Sequence, residues 1–206
     1  MKYCNTACQK AHGPHHKKEC RKHTDELFDE ALFKQPPQND ECLICFLPFS
    51  VEVNASGYQT CCGKLLCMGC ICGVRKRARV ERNPKLDVRP YCREPPSNSD
   101  REHIKRLKKR IERGDAEAIN YMGYLNRTGL RGVPIDLNKA LEMHIRGGEL
   151  ACGNGYKNAG DAYHIGRGVR IDNKKAMQYY VLAPIKGDVH ARHNIACMEG
   201  IAGNNK

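Results

Sequence analysis

The chain has 206 residues, of which 35 are lysine or arginine and 23 are aspartate or glutamate, giving a formal net charge of +12. A chain of this length holds one or two ordinary domains or a few small modules, and it excludes a large enzyme fold with an inserted regulatory domain. No run approaches the roughly 18 apolar residues of a membrane helix, and the first residues lack the apolar core of a secretory signal. We therefore expect an intracellular protein, cytoplasmic or nuclear, with no membrane partner.

Cysteine is the most unusual part of the composition: eleven of the thirteen cysteines lie before residue 93. In a reducing compartment such a number indicates metal binding or catalysis before disulfides. Polar stretches with paired prolines, residues 34–40 and 94–99, divide the chain. We predict a metal-binding fragment at 1–23, a helix and linker at 24–40, a cysteine-rich module at 41–97 and helical repeats at 98–206.

The cysteine-rich module has the spacing of zinc ligands. Two Cys-x2-Cys pairs, Cys42 with Cys45 and Cys67 with Cys70, flank the adjacent pair Cys61 and Cys62, and Cys92 follows. A tight turn lets two sulfurs three residues apart reach the same ion, so two such pairs form a four-thiolate zinc site. Eight cysteines within 51 residues at this spacing rarely serve packing alone.

This order of cysteines resembles a RING finger, in which the first and third ligand pairs hold one zinc ion and the second and fourth hold another. The resemblance implies one site of Cys42, Cys45, Cys67 and Cys70, and a second site that includes Cys61, Cys62 and Cys92. Arg89 occupies the position of the eighth ligand and cannot ligate zinc. The second site then completes its coordination with water, recruits Cys72, or stays empty; an alignment that makes Lys64 a ligand is less favoured.

The same resemblance implies a function, because most RING domains bring a ubiquitin-charged conjugating enzyme to a substrate and catalyse transfer by orientation. It places Ile44, Val74 and Pro90 against the conjugating enzyme and Arg93 against ubiquitin. Val74 replaces the tryptophan usual at its position. We expect a ubiquitin ligase, with a non-catalytic zinc-dependent adaptor as the alternative. Nucleic-acid binding ranks third, because the basic residues are dispersed and few aromatic residues lie among them.

A second set of ligands lies near the start of the chain: Cys4, Cys8, His16 and Cys20. Ligands four residues apart share one helix face. The pattern resembles the C-terminal half of a MYND zinc finger, which implies that Cys4 and Cys8 complete one zinc site and His16 and Cys20 another. The partner ligands expected upstream are absent. Either the module is truncated or the four residues share one ion, so the chain is expected to bind one to three zinc ions.

The last segment begins with a predicted helix and then repeats itself. Ser99 and Glu102 are spaced as a capping box, and Gly114 is expected to end the helix. A pattern of glycines, Asp136 and Ala140 recurs 36 to 37 residues later with Asp172 and Ala176, and a third copy begins at residue 187. This period predicts stacked helical hairpins, with aspartate capping the second helix and alanine beginning it.

The repeat pattern resembles the Sel-one-like repeat, a relative of the tetratricopeptide repeat. The resemblance implies a scaffold that binds an unidentified protein, so we expect the repeat histidines, including His144, to serve packing. The expected fold class is mainly α, with a small zinc-bound α+β module between an N-terminal helical zinc-finger fragment and a short α-solenoid. Both ends interrupt a recognisable unit, and a missing exon or an early stop in the gene model is one interpretation; the sequence does not decide whether the chain is complete.

Overall fold

A computed structural model of the protein describes residues 41–49, 56–185 and 190–203. The N-terminal fragment predicted at 1–23 and the helix and linker predicted at 24–40 lie outside these residues. The described part belongs to one compact unit, Pro36–Lys206. It contains seven α-helices and one two-stranded sheet, which confirms the predicted mainly helical class. No helix among these residues is long and apolar enough to cross a membrane.

The cysteine-rich module is built on a short hairpin and one helix. Strands β1 (Ser56–Gln59) and β2 (Lys64–Cys67) pair antiparallel with Ser56 opposite Cys67. Helix α1 (Met68–Val80) follows β2 directly, and the Sγ of Cys67 caps it by accepting from the backbone N of Cys70 at 3.3 Å. The buried core is small, since Cys42, Leu66 and Ile71 are its fully buried members among the described residues. So small a core cannot fix the fold by hydrophobic burial alone.

Helix α2 (Asp100–Glu112) joins the module to the repeats. The predicted cap is confirmed, because Ser99 Oγ accepts from the backbone N of Glu102 at 3.1 Å. Leu107 of α2 is fully buried and packs with Met122 and Leu125 of the following helix. Helix α2 therefore covers one end of the repeat core.

Five further helices form the repeats: α3 (Ala116–Thr128), α4 (Leu137–Glu149), α5 (Gly153–Ile165), α6 (Asn173–Ile185) and α7 (His190–Gly203). Each helix packs against the next one along the chain, which confirms the predicted stack of hairpins. Asp136 and Asp172 cap α4 and α6 by accepting from backbone N–H groups at 2.9 and 3.0 Å. Because each helix begins directly after its aspartate, the prediction that Ala140 and Ala176 begin these helices was three residues late.

Glycines set how closely the helices approach. Gly123 lies against the buried ring of His144, and Gly160, one repeat later, lies against the buried ring of Tyr180. At Gly155 the neighbours are backbone atoms: an added Cβ would lie 2.5 Å from the carbonyl oxygen of His144 and 2.6 Å from the nitrogen of Gly148. Helices α4 and α5 are therefore in direct backbone contact, which only glycine permits at this position.

We expect Gly155→Ala to destabilise the protein by about 1–3 kcal/mol, since backbone atoms cannot move aside as a flexible side chain can. The matched control is Gly73→Ala on α1, where an added Cβ meets nothing within 4 Å. The control should be stabilised by about 0.5–1 kcal/mol through the lower helix propensity of glycine. Urea unfolding followed by circular dichroism measures both, and equal stability of the two variants would contradict the close approach of α4 and α5.

Candidate metal centres

The first candidate centre consists of Cys42, Cys45, Cys67 and Cys70, whose sulfurs all lie within 4.8 Å of one another. The loop around Cys42 supplies one pair, and the junction of β2 with α1 supplies the other. The Sγ atoms of Cys45 and Cys67 are 3.8 Å apart. Four thiolates at the usual zinc–sulfur distance of about 2.3 Å in a tetrahedron are separated by about 3.8 Å. The donor set and its spacing therefore fit a tetrahedral metal ion.

Backbone amides favour the ionised form of one of these thiols. Burial raises the pKa of Cys42, but hydrogen bonds from the backbones of Cys67, Cys45 and Ile44 outweigh it and lower the pKa to about 6. The bond from the Cys67 nitrogen is 3.4 Å long. Burial and the neighbouring thiols instead raise the pKa of Cys70 to about 12. The four sulfurs thus resist simultaneous ionisation, and a bound cation would remove this conflict.

The second candidate centre has three cysteines, Cys61, Cys62 and Cys92, again within 4.8 Å of one another. The Sγ atoms of Cys61 and Cys92 are 3.2 Å apart. Burial, followed by the hydrogen bond with Cys92, raises the pKa of Cys61 to about 12, and burial likewise raises the pKa of Cys62. Three thiolates fit a metal ion with one open coordination position.

Arg89 lies beside this second centre. The backbone N of Arg93 donates to its carbonyl at 2.9 Å, and its own N donates to the carbonyl of Glu94 at 2.8 Å, so residues 89–94 form a closed turn. Burial and Arg75 lower the pKa of the Arg89 guanidinium, whereas Cys61 and Cys92 raise it. A basic residue thus occupies the sequence position at which the RING pattern would place a ligand.

The two centres have the interleaved order that the RING resemblance implied. The first and third cysteine pairs meet in one centre, and the adjacent pair meets the last cysteine in the other. Cys72 is exposed and belongs to neither, so the structure does not support its recruitment. The role of the clustered cysteines as zinc ligands stays a prediction, and Cys4, Cys8, His16 and Cys20 lie outside the described residues.

The predicted partner-binding residues lie around these centres. Ile44 is 37% exposed in the loop between Cys42 and Cys45. Val74 is half-buried on α1 and Pro90 is half-buried in the turn before Cys92. Arg93 is exposed and has a positive φ of 58°. Their contacts with a conjugating enzyme or ubiquitin stay predictions.

Sequence reasoning missed a polar contact between the module and the repeats. Arg110 of α2 donates through Nη2 to the carbonyl of Cys61 at 2.9 Å, and its Nη1 lies 3.8 Å from Asp115. The hydroxyl of Tyr58 on β1 donates to the same Asp115 carboxylate at 2.8 Å. Asp115 also caps α3 by accepting from Ala118 at 3.1 Å. Of these contacts, only the capping of α3 by Asp115 was indicated by the sequence, because an aspartate directly before a helix commonly serves as its N-cap.

Comparisons with known proteins concern the repeats. No protein family and no curated protein matches the chain. Among solved structures it is similar to a Sel1 repeat protein from Oxalobacter formigenes, with 30% identity and a TM-score of 0.46 over 58% of this chain and 50% of that one. It is also similar to cysteine rich protein B of Helicobacter pylori, with 22% identity and a TM-score of 0.44 over 46% of this chain and 71% of that one.

A third similar structure is c5321, a protective antigen with an SLR fold from uropathogenic Escherichia coli, at 18% identity and a TM-score of 0.42, covering 57% of this chain and 26% of that one. The chain thus spans about half the length of the Oxalobacter protein. Two of these three structures, the Oxalobacter protein and c5321, are described as a Sel1 repeat protein and an SLR fold. The evidence for hairpin repeats in this chain is its own internal symmetry, in sequence and in helix packing.

We expect native mass spectrometry of the Zn²⁺-loaded chain to show one fewer ion when Cys42 and Cys45 are both replaced by serine. The reason is that two remaining thiolates cannot hold the ion against a competing chelator. The control is Cys72→Ser, which removes an exposed thiol outside both centres and should leave the zinc count unchanged. An unchanged count in the double variant would contradict a metal ion at the first centre.

We expect Arg89→Cys to bind the ion of the second centre about tenfold or more tightly, because a fourth thiolate replaces a cation beside the ion. Competition with a chromophoric chelator measures the affinity. Arg79→Cys provides the control, since Arg79 is exposed on α1 and adds a thiol outside both centres. Equal affinities for Arg89→Cys and Arg79→Cys would show that residue 89 does not face the ion.

Proposed function

We propose that residues 41–97 form a RING-type zinc module that docks a ubiquitin-conjugating enzyme, while the helical repeats bind a protein substrate. The chain then acts as a ubiquitin ligase without a covalent intermediate. The observation that carries this proposal is the interleaving of the two cysteine centres, in which the successive cysteines Cys62 and Cys67 belong to different centres. With a metal ion in each centre, the segment between residues 61 and 70 would be cross-linked both to the loop around Cys42 and to the turn at Cys92, which would fix the positions of these segments.

Zinc is the ion that this donor set favours. Thiolate ligands select soft or borderline ions, and a four-thiolate tetrahedron is a structural zinc site closed to substrate. Zinc in a structural site supplies folding free energy, which the three-residue buried core of the module cannot supply alone. Docking of a conjugating enzyme then requires only the rigid protein surface that the zinc ions stabilise. We place the protein in the reducing cytoplasm or nucleus, where these thiols stay reduced and can bind metal.

An exposed apolar loop supports the docking role. Between the first two cysteines of the module and just after them lie Leu43, Ile44, Phe46 and Leu47, which are 42, 37, 72 and 64% exposed. The backbone N of Cys42 donates to the carbonyl of Leu47 at 2.9 Å, so the loop is closed at its base. Apolar side chains held outward on a closed loop are typical of a protein-binding surface. Val74 and Pro90 complete the proposed contact with the conjugating enzyme.

Arg93 is the residue proposed to act on ubiquitin. It follows Cys92 of the second centre directly, and its backbone is fixed by the hydrogen bond to Arg89 at 2.9 Å. An exposed guanidinium with a fixed backbone can donate to ubiquitin and restrict the thioester to a reactive orientation. Arg93 would then increase the rate by orienting the thioester and not by attacking it, because the attacking amine comes from the substrate.

A non-catalytic adaptor is the second candidate, and one observation favours it. Arg89 occupies the sequence position where the eighth ligand is expected, so an ion held by the three cysteines would keep an open position and hold the turn before Arg93 less tightly. In that case the zinc module and the repeats would each bind a protein and no transfer would occur. The two candidates share the zinc requirement and differ only in catalysis.

We expect the zinc-loaded chain to ubiquitinate itself with at least one conjugating enzyme of a broad panel, and Ile44→Ala and Arg93→Ala each to reduce the rate about tenfold or more. Loss of Ile44 removes an apolar contact, and loss of Arg93 removes charged hydrogen bonds in the reactive complex. Product formation is followed on gels over time.

Two exposed residues provide matched controls: Ile171→Ala in a repeat loop and Arg79→Ala on α1, both outside the proposed surface. Both should retain the wild-type rate. No product with any conjugating enzyme, from protein whose zinc content is verified, would reject the ligase proposal in favour of the adaptor. Equal losses in all four variants would show that the assay responds to stability and not to docking.

A further inference from the structure

A cationic cavity of about 240 Å³ lies between the first two hairpins. Its walls come from the end of α3, from α4, from α5 and from the loop after α5. The polar residues that line it are Arg127, His144, Lys157, Asn158, Asp161 and Arg167. Neither candidate metal centre contributes to it, so the cavity is a feature of the repeats alone.

Both oxygens of the one carboxylate that lines the cavity already have hydrogen-bond or ion-pair partners. Asp161 accepts from the Tyr180 hydroxyl at 2.8 Å and from the Asn194 amide at 3.2 Å, and its other oxygen pairs with Lys157 at 2.8 Å. Lys157 is thereby neutralised. Neither Arg127 nor Arg167 has a carboxylate partner within the part of the chain that the structure describes. Two positive charges therefore remain without compensation around one cavity.

His144 forms a buried, uncharged part of the cavity wall. His144 is 2% exposed, and its Nδ1 lies 2.7 Å from the Asn120 side-chain oxygen, which also accepts from the Asn158 amide at 3.1 Å. Burial and the charges of Arg127 and Lys157 lower the pKa of His144 to about 4. The imidazole therefore stays uncharged at neutral pH, and it holds the two asparagines in one orientation. Arg127 is itself oriented, with its guanidinium 5.2 Å above the ring of Tyr124.

An aromatic groove of about 440 Å³ adjoins the cavity and shares Asn158 with it. Tyr58, Tyr121 and Tyr124 line this groove; the rings of Tyr121 and Tyr124 are stacked at 6.1 Å, and the rings of Tyr58 and Tyr121 are 5.7 Å apart. Tyrosine faces bind apolar side chains at a low cost in conformational entropy. An extended peptide that crosses Asn158 would thus meet aromatic rings on one side and free cations on the other.

We propose that this surface binds an internal acidic segment of a partner protein, with a side-chain carboxylate in the cavity at Arg127 and Arg167 and a preceding apolar residue on the tyrosine groove. The net charge of +12 favours encounter with an acidic partner. The inference rests on the proposed docking role of the repeats and is independent of ubiquitin transfer.

Fluorescence anisotropy with the zinc-loaded full chain tests the proposal. The probe is a fluorescein-labelled, C-terminally amidated peptide Gly-Phe-Asp-Glu-Asp-Gly, and its matched neutral analogue is Gly-Phe-Asn-Gln-Asn-Gly. We expect the acidic peptide to bind about tenfold or more tightly than the analogue, and the double variant Arg127→Gln with Arg167→Gln to lose that difference. The matched control, Arg170→Gln with Lys174→Gln, removes the same charge from exposed residues outside the cavity and should bind as wild type.

Further measurements separate this outcome from its competitors. The conservative double variant Arg127→Lys with Arg167→Lys should retain most of the binding, and thermal unfolding should show that all variants are folded. Ile44→Ala and Arg93→Ala should bind the acidic peptide normally, which distinguishes this site from the ligase surface. Equal binding of both peptides, equal losses in the two glutamine double variants, or displacement of the peptide by millimolar inorganic phosphate but not by acetate would each overturn the proposal.

Discussion

The mutual repulsion of clustered thiolates is the constraint on which the N-terminal part of the described structure depends. Cys42, Cys45, Cys67 and Cys70 hold four sulfurs within 4.8 Å of one another, and like charges at that distance cannot all be ionised without a cation. Among the described residues, the hairpin and α1 contribute Leu66 and Ile71 to the buried core around this cluster. A metal ion bound here would therefore couple folding of the module to metal binding and would restrict the exposed loop around Ile44.

Arg110 and Asp115 join the cysteine-rich module to the repeats. Arg110 donates to the carbonyl of Cys61, a residue of the second centre, while Asp115 accepts from Tyr58 of β1 and caps α3. Gly63 permits this approach, because an added Cβ there would lie 2.7 Å from both Arg110 and Asp115. The second centre thus lies at the boundary with the first repeat.

Local rules in the sequence predicted the elements better than the contacts between them. The caps at Ser99, Asp136 and Asp172 were predictable because a capping side chain bonds within three residues of itself. The Cys-x2-Cys pairs were predictable because ligand spacing is a local property, whereas the grouping of the cysteines into two interleaved centres was implied by the RING resemblance. The bond from Arg110 to Cys61 was not, since 49 residues separate them and Arg110 belongs to a run of basic residues that looks like a solvated helix face. The close helix contact at Gly155 was equally unpredictable from the sequence, because it depends on the backbone of α4.

The differences between the repeat copies explain why the cationic cavity occurs where it does. His144 and Tyr180 occupy equivalent positions, each against a glycine of the preceding helix. In the second hairpin, Tyr180 donates to Asp161, and the same carboxylate pairs with Lys157. The first hairpin has Tyr124 at the position of Asp161, so its imidazole bonds to Asn120 instead and Arg127 stacks on an aromatic ring. One aspartate-to-tyrosine difference between copies thus leaves a cation unpaired and supplies the aromatic surface beside it, which are the two properties that an acidic peptide with an apolar residue requires.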